Sequence, residues 1–432
     1  MNRIAIILGY GDNKKDNAML FAMQLVVATL PFVEHINSWA IIVMTLVWLC
    51  TVKFSNFSYA FKERKLSIYF LLYFVWLAVG LIYTDNLAEG LGDLTLKLSF
   101  VIFPFVLLFN KRIDQHFLRG VIRVFYYTLF IVSIYMLIMA WMAFLSNQDL
   151  GHSESFSYFT YEKFASTIHI QPIYLSMYMV FSFFAVIWDF FIDPRIGLTK
   201  AGKLMAQIWA FHFYMMVILL SSRMELLVLL FISFVGIAYY DAYKKRSWAK
   251  AIVKMVVLLS VTILLLGLIP INKARYTEMV DIEQDYTQNK WGGRSIRIHK
   301  WLNALELIAE QPLIGTGTGD MQEELEKVYA RNNFNIALEY NFNPHNQYLQ
   351  TWASTGLIGL FFLLGILLLS FIYAINSRNA LYIGLVLLLS LSMLTESMLE
   401  RQKGLVFFSF FFLFFGGYYF NHKEKLALLP KE

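Results

Sequence analysis

Residues 342–352 read FNPHNQYLQTW, and residues 356–374 continue as GLIGLFFLLGILLLSFIYA. The second stretch carries no charge over nearly the roughly 20 residues that a bilayer crossing requires. It reads as a membrane helix, and the first stretch as its polar doorway. A histidine and two amides, His345, Asn346 and Gln347, stand in that doorway. What they do there depends on the side of the membrane they face and on what accompanies them.

The whole chain repeats the pattern. Of 432 residues, 58% are hydrophobic, 17% aromatic and 15% charged. A soluble protein would carry about 25% charged residues. The fold class is therefore all-α and polytopic. Apolar runs place membrane helices near 18–33, 39–52, 66–83, 94–109, 117–145, 172–191, 204–220, 225–243, 250–269, 353–374, 380–395 and 404–420, about twelve in all. The fifth is long enough to tilt or to extend beyond the bilayer. The first is read as retained, since no small-residue cleavage site follows it. The single cysteine, Cys50, excludes a disulfide framework.

Basic residues set the orientation. Lys14, Lys15, Lys53, Lys62, Arg112, Arg119, Arg123, Lys200, Lys244, Lys245, Arg378 and Lys423 fall in one set of loops. The alternate short loops, EHINS (34–38) and TDNLAEGLGD (84–93), hold neither Lys nor Arg. Both termini are thus expected in the cytoplasm. The net charge of +6 is mostly topological, which removes the case for nucleic acid. The division expected is residues 1–269 with nine membrane helices, a large periplasmic loop at 270–352 containing amphipathic helices, and 353–432 with three more helices and a cytoplasmic tail. The loop is read as an insertion without a core of its own.

Arg223, in LLSSRMELLVLL, lies in a turn so short that its guanidinium sits at the outer boundary of the bilayer. An ionisable group there is costly and marks a cavity or a partner; Glu225 is a structural alternative partner. Residues 294–311 read as an amphipathic helix with the stripe Ile298, Trp301, Leu302, Leu305 and Ile308, stopped by Pro312. Arg294, Arg297, His299 and Lys300 crowd its first two turns. Two readings stand: a phosphate clamp, since guanidinium groups bind such oxygens bidentately, or a basic helix resting on anionic headgroups.

GTGTG (315–319) lacks the Lys-Ser/Thr of a nucleotide loop and reads as a turn. The acids of MVDIEQDY (279–286) read as a solvated loop, so no metal is expected. His345 can be a helix-start residue, an interfacial side chain or a general base. Its convergence with outward arginines favours the base, because transfer from a lipid phosphate needs both. Asn346, the outer cluster Glu396, Glu400 and Arg401, and His169 with His152 and Glu154 are further candidates for lining the same cavity.

The run from Arg297 through IHKW, PLIG and TGTG, with PHNQYLQTWASTGLIGL (344–360), resembles the O-antigen ligase and O-antigen polymerase superfamily. In that family an Arg precedes a Trp by four positions, a Pro-Leu-x-Gly-x-Gly turn follows, and His-Asn with Gly-Leu-x-Gly-Leu closes a large periplasmic loop. Ser222-Arg223 matches the family's outer Ser-Arg. The resemblance covers roughly 220–415; before that, topology alone agrees.

The resemblance implies an inverting, metal-independent glycosyltransferase of the bacterial inner membrane, without cofactor, acting at the periplasmic face. Its donor is a glycan on undecaprenyl pyrophosphate, and a ligase's acceptor is lipid A–core. His345 maps onto the family's histidine, and Arg223 and Arg297 onto its arginines, with Arg294 an alternative for the loop role. A polymerase or a protein O-glycan ligase differs in acceptor and shares the signature. A polysaccharide transporter, from another class, would place ionisable or helix-breaking residues near mid-membrane, whereas here they gather at the outer edge.

Overall fold

The computed structural model of the protein describes residues 7–52, 64–108, 113–146, 156–192, 199–269 and 294–427. Among the described residues every element is helical. Hydrocarbon leaves no water for backbone groups, so each segment must satisfy its own N–H and C=O. The helices are α1 (Lys14–Thr29), α2 (Glu34–Thr51), α3 (Lys65–Gly80), α4 (Leu87–Leu96), α5 (Ser99–Leu108), α6 (Gln115–Ser146), α7 (Tyr161–Ala165), α8 (Pro172–Ile187) and α9 (Lys200–Leu219). They continue as α10 (Arg223–Ile237), α11 (Trp248–Leu268), α12 (Arg294–Glu310), α13 (Met321–Arg331), α14 (Asn335–Glu339), α15 (Gln347–Asn376), α16 (Ala380–Ser392) and α17 (Gln402–Ala427).

Each of the twelve apolar runs is helical, but the number able to cross a membrane is smaller by length and hydropathy. Among the described residues eight helices qualify, and α3 and α16 are apolar but shorter. The expected long fifth segment is α6, at 32 residues.

The chain forms two compact units. One comprises residues 1–30, 34–121 and 283–432; the other comprises 31–33 and 122–282. In the second unit, α8 and α10 each run on into a π-helical turn, Trp188–Ile192 and Ala238–Lys244. Each turn buries an aspartate. Asp189 accepts from Arg123 Nε and Nη2 at 2.7 and 2.9 Å and from Tyr126 at 3.0 Å. Asp241 accepts from Lys254 Nζ at 2.6 Å. Arg123 and Lys254 are thus fixed ion-pair partners as well as topological charges.

In the first unit α3 packs along α15, and α5 along α17. Aromatic pairs join these helices: Phe70 of α3 meets Phe100 of α5 edge-on at 5.1 Å, and Phe103 of α5 meets Phe410 of α17 at 5.6 Å. In α17 the run LVFFSFFFLFF (405–415) is buried on all sides. A helix apolar all round belongs in the middle of its bundle.

The hydrophilic segment before α15 does have a core, contrary to expectation. Ala304, Leu307 and Ile308 of α12 join Met321, Leu325, Val328 and Tyr329 of α13, with Phe334, Ile336 and Ala337. Ala353 of α15 completes this cluster, and Leu349 and Trp352 pack against it. The buried face of α12 is therefore rotated in part from the expected stripe, of which Ile308 is buried and Trp301 half-buried. Ile298, Leu302 and Leu305 are exposed, while Lys300 and Asn303 turn inward with Ala304 and Leu307. α12 has apolar residues on two sides, and α13 selects the narrower, smaller-residue face.

The PLIGTG turn explains how this small helical module is held. Gly356 interrupts α15 with φ 67° and ψ −170°. A straight helix would bond Leu357 N–H to the Ala353 carbonyl. Instead Leu357 N–H donates to the Pro312 carbonyl at 2.9 Å, and Ala353 O accepts from Thr316 N–H at 2.9 Å. Ser354 O accepts from Gly317 N–H at 3.0 Å, and Thr355 O from Trp76 Nε1 at 2.8 Å. The turn thus supplies the groups that the broken helix lacks, which is what permits such a break in a membrane helix.

Beyond it, Thr318 Oγ1 donates to Leu77 O at 2.6 Å, and Asp320 accepts from the backbone N–H of Asp85 and Asn86 at 2.8 and 2.7 Å. GTGTG is a turn, as its sequence implies.

Candidate functional site

The doorway 342–347 is built to present one side chain. His345 has a left-handed backbone, φ 46°, and its N–H donates to Asn343 Oδ1 at 2.9 Å. Asn346 caps α15: its Oδ1 accepts from the N–H groups of Tyr348 and Leu349 at 3.0 and 3.1 Å. That satisfies two of the donors a helix start leaves open.

Gln347 is fully buried. Its N–H donates to Met393 O at 2.8 Å, and its Oε1 accepts from Leu399 N–H at 2.7 Å. Asn346 N–H donates to Ser397 Oγ at 3.2 Å. The two amides therefore fasten the doorway to the turn 393–401. The histidine ring is left to face outward.

His345 Nδ1 lies 3.2 Å from Glu396 Oε2, with the histidine side chain 34% and the carboxylate 13% exposed. An ionised carboxylate only accepts, so this contact places the ring hydrogen on Nδ1. In the neutral ring Nε2 then carries the lone pair, and it has no hydrogen-bond partner among the described residues. This is the arrangement of a base held in one tautomer by an acid. Phe342 supports the ring edge-on, with centroids 6.2 Å apart.

Lys300 reaches the same cluster from α12. Its Nζ sits 4.6 Å from the Phe342 ring centroid, and the residue is only 5% exposed. Burial, and then the nearby charge of Arg297, push its ammonium down to about 7, with Glu396 opposing. Arg297 itself is exposed. Arg294 opens α12, and its side chain lies outside the described residues.

The acids of the turn 393–401 divide their work. Glu396 faces His345, whereas Glu400 accepts from Lys97 Nζ at 2.7 Å and from Gln347 Nε2 at 3.2 Å. Lys97 also bonds Asp93 at 2.8 Å and is nearly sealed from solvent. Glu400 thus joins a structural network, and Arg401 is exposed.

In the second unit, Arg223 is the first residue of α10, after Ser221 with φ 51°. Glu225 is fully buried. His169 is exposed with φ 54°. His152, Glu154 and the acids of 279–286 lie outside the described residues. Among the described residues no group of three or more His, Cys, Asp or Glu is arranged to hold a metal ion.

Two features of this site escape sequence reading. Glu396 stands among the candidates, but nothing in the 51 residues separating it from His345 announces the pair. Lys300 stands in the basic cluster, yet its inward orientation follows from which face of α12 meets α13.

Residues 208–364 match the model of the O-antigen ligase family. A protein of Haemophilus influenzae described as uncharacterized is 25% identical over 332 residues, covering 74% of this chain and 75% of that protein. The matched segment begins within α9 and holds Arg223, Arg297, the PLIGTG turn, His345 and the break at Gly356. The chain thus contains, over residues 208–364, the domain of the O-antigen ligase superfamily.

Proposed function

We propose that the protein is an O-antigen ligase of the bacterial inner membrane, moving a glycan from undecaprenyl pyrophosphate to a sugar hydroxyl of lipid A–core at the periplasmic face. What is common to the family is a ligase or polymerase acting on polysaccharide in the membrane. The finer reading rests above all on His345, whose ring is turned so that Nε2 is open while Nδ1 is held by Glu396.

In this mechanism His345 Nε2 takes the proton of the acceptor hydroxyl. The oxygen attacks the anomeric carbon from the face opposite the diphosphate. The bond from that carbon to the phosphate oxygen breaks, configuration inverts, and undecaprenyl pyrophosphate departs. Arg297 meets the growing negative charge, with Arg294 three residues before it at the start of α12, and the resemblance gives Arg223 a diphosphate-binding role of its own. The donor's glycosyl–phosphate bond supplies the free energy, so no nucleotide is needed. Substrate tail and headgroups are accommodated by membrane lipid and the apolar helices; no nucleic acid takes part.

Complementation tests this reading. The wild-type chain is expressed in a Gram-negative strain that lacks its ligase and has matched O-antigen and core. A ladder of long chains on lipid A–core in a lipopolysaccharide gel is the expected result. No ladder from well-expressed protein, with rescue of a polymerase-null strain instead, would reassign it as the polymerase. Rescue of neither strain, with glycan on protein hydroxyls, would make it a protein O-glycan ligase.

A further inference from the structure

α12 has a second apolar face, turned away from α13. Ile298, Leu302 and Leu305 follow one another at i, i+4 and i+7, so they share one side of the helix. All three are exposed, Leu302 to 56%. Exposed aliphatic residues scattered singly need no reason, but a stripe of them does. Lys300, Asn303, Ala304 and Leu307 occupy the opposite, buried side.

Where this face leads indicates what covers it. Ala309 continues it, and the chain passes through Pro312 into Leu313 and Ile314, which are exposed as well, Leu313 to 63%. The Leu313 carbonyl sits against Gly356, where an added Cβ would collide with it. The next residues of α15, Leu357, Ile358 and Phe361, are exposed in turn. α15 is long and apolar enough to cross a membrane, so its exposed face meets lipid. The apolar surface of the module and the lipid face of α15 thus adjoin at the PLIGTG turn.

Two aromatic side chains mark the level of that junction. Trp352 Nε1 donates to Pro312 O at 3.0 Å, and the Tyr83 hydroxyl donates to Ile314 O at 2.7 Å. Rings with an apolar body and a polar tip gather at the height of lipid headgroups. The other outer face of the module has a different character: on α13, Glu323 and Lys327 are ion-paired at 3.1 Å and exposed. One face suits water and the other hydrocarbon.

We propose that the exposed face of α12, with Leu313 and Ile314, is inserted in the lipid leaflet into which the His345 end of α15 opens. The occupant is phospholipid, with acyl chains against Ile298, Leu302 and Leu305 and headgroups along the flank that carries Arg297. Arg297 is exposed and lies about 100° around the helix from Ile298. An interfacial helix of this kind sinks about 5–10 Å into the boundary between headgroups and chains. The module is then held by the membrane as well as by its own core and the docked turn. Because Lys300 of the same helix rests on Phe342, that depth also sets the height of the doorway at 342–347.

The test uses the full-length protein, one copy per nanodisc, with the exposed native thiol removed by Cys50→Ser. A polarity-sensitive fluorophore is attached at Leu302→Cys, Leu305→Cys or Leu313→Cys, with Lys327→Cys on α13 as the control facing water. Phosphatidylcholine carrying a nitroxide near the headgroup end of its chain is the quencher. Labels at positions 302, 305 and 313 are expected to lose about half of their emission or more, and the label at 327 to lose little. Emission at 302 and 305 that matches 327 would overturn the proposal and leave α12 in water. Blue-shifted emission that the nitroxide lipid does not quench would overturn it in favour of protein cover. A blue shift arising only with two copies per disc would identify that cover as a second copy. Quenching at 327 equal to that at 302 would overturn it too, since the module would then be submerged as a whole. No glycan enters the measurement, so the ligase reading stands apart from its outcome.

Discussion

Gly315 and Gly356 meet backbone to backbone. Both have positive φ, 72° and 67°. A Cβ on Gly315 would strike Ser354 O and Gly356 N, and one on Gly356 would strike the Leu313 carbonyl. This contact seats the PLIGTG turn in the break of α15. It thereby joins the module that carries Arg297 and Lys300 to the helix that begins after His345.

Gly356→Ala should therefore be damaging twice over, through strained backbone and through collision. A loss of more than about 2 kcal/mol is expected. Thermal unfolding of the detergent-purified protein reads it, with Gly267→Ala as a control, because nothing lies within 4 Å of a Cβ there. Equal melting of the two variants would argue against the docked turn as a structural necessity.

Lys97 holds Asp93 and Glu400 from a nearly sealed position. Lys97→Met leaves two carboxylates uncompensated, which typically costs about 3–5 kcal/mol. Protein abundance and glycan transfer should fall together. A stable, abundant Lys97→Met protein that is inactive would instead move Lys97 into the chemistry.

Arg297→Lys keeps the charge and loses the planar fork. Because a guanidinium grips phosphate oxygens bidentately, transfer should drop by about tenfold or more while abundance is unchanged. Full activity of the lysine variant would show that diffuse charge suffices at this position.

Glu396→Gln removes the acceptor that holds the hydrogen on His345 Nδ1. Either ring tautomer can then face the amide, and a fraction of molecules presents Nε2–H where a lone pair is needed. The rate of transfer should fall about 100-fold or more with little change in donor affinity. A rate within twofold of wild type would mean the carboxylate does not orient the base.

Much of the molecule was legible in advance because lipid imposes a crude code. Apolar runs became helices at nearly the expected places, since no other structure satisfies their backbone in hydrocarbon. The turn nature of GTGTG was legible as well. The break at Gly356 was not, because a lone glycine in an apolar run signals nothing until the Pro312 and Thr316 backbone groups are seen to replace its helix bonds.

The buried face of α12 was misread for a similar reason. Of the expected stripe Ile308 is buried and Trp301 half-buried, but Ile298, Leu302 and Leu305 lie exposed while Ala304 and Leu307 turn inward, and only the partner helices decide between these faces. With that face went the orientation of Lys300. The Glu396–His345 pair depends on the turn 393–401 folding back onto the doorway, a contact local patterning does not encode.

The central claim is that His345 is the base. The direct measurement compares wild type with His345→Ala, purified at equal yield, in a transfer assay containing undecaprenyl-pyrophosphate-linked glycan and lipid A–core, with donor binding followed in parallel. The account expects donor binding to be kept and transfer to be lost by about 100-fold or more. Transfer at the wild-type rate by His345→Ala would contradict it.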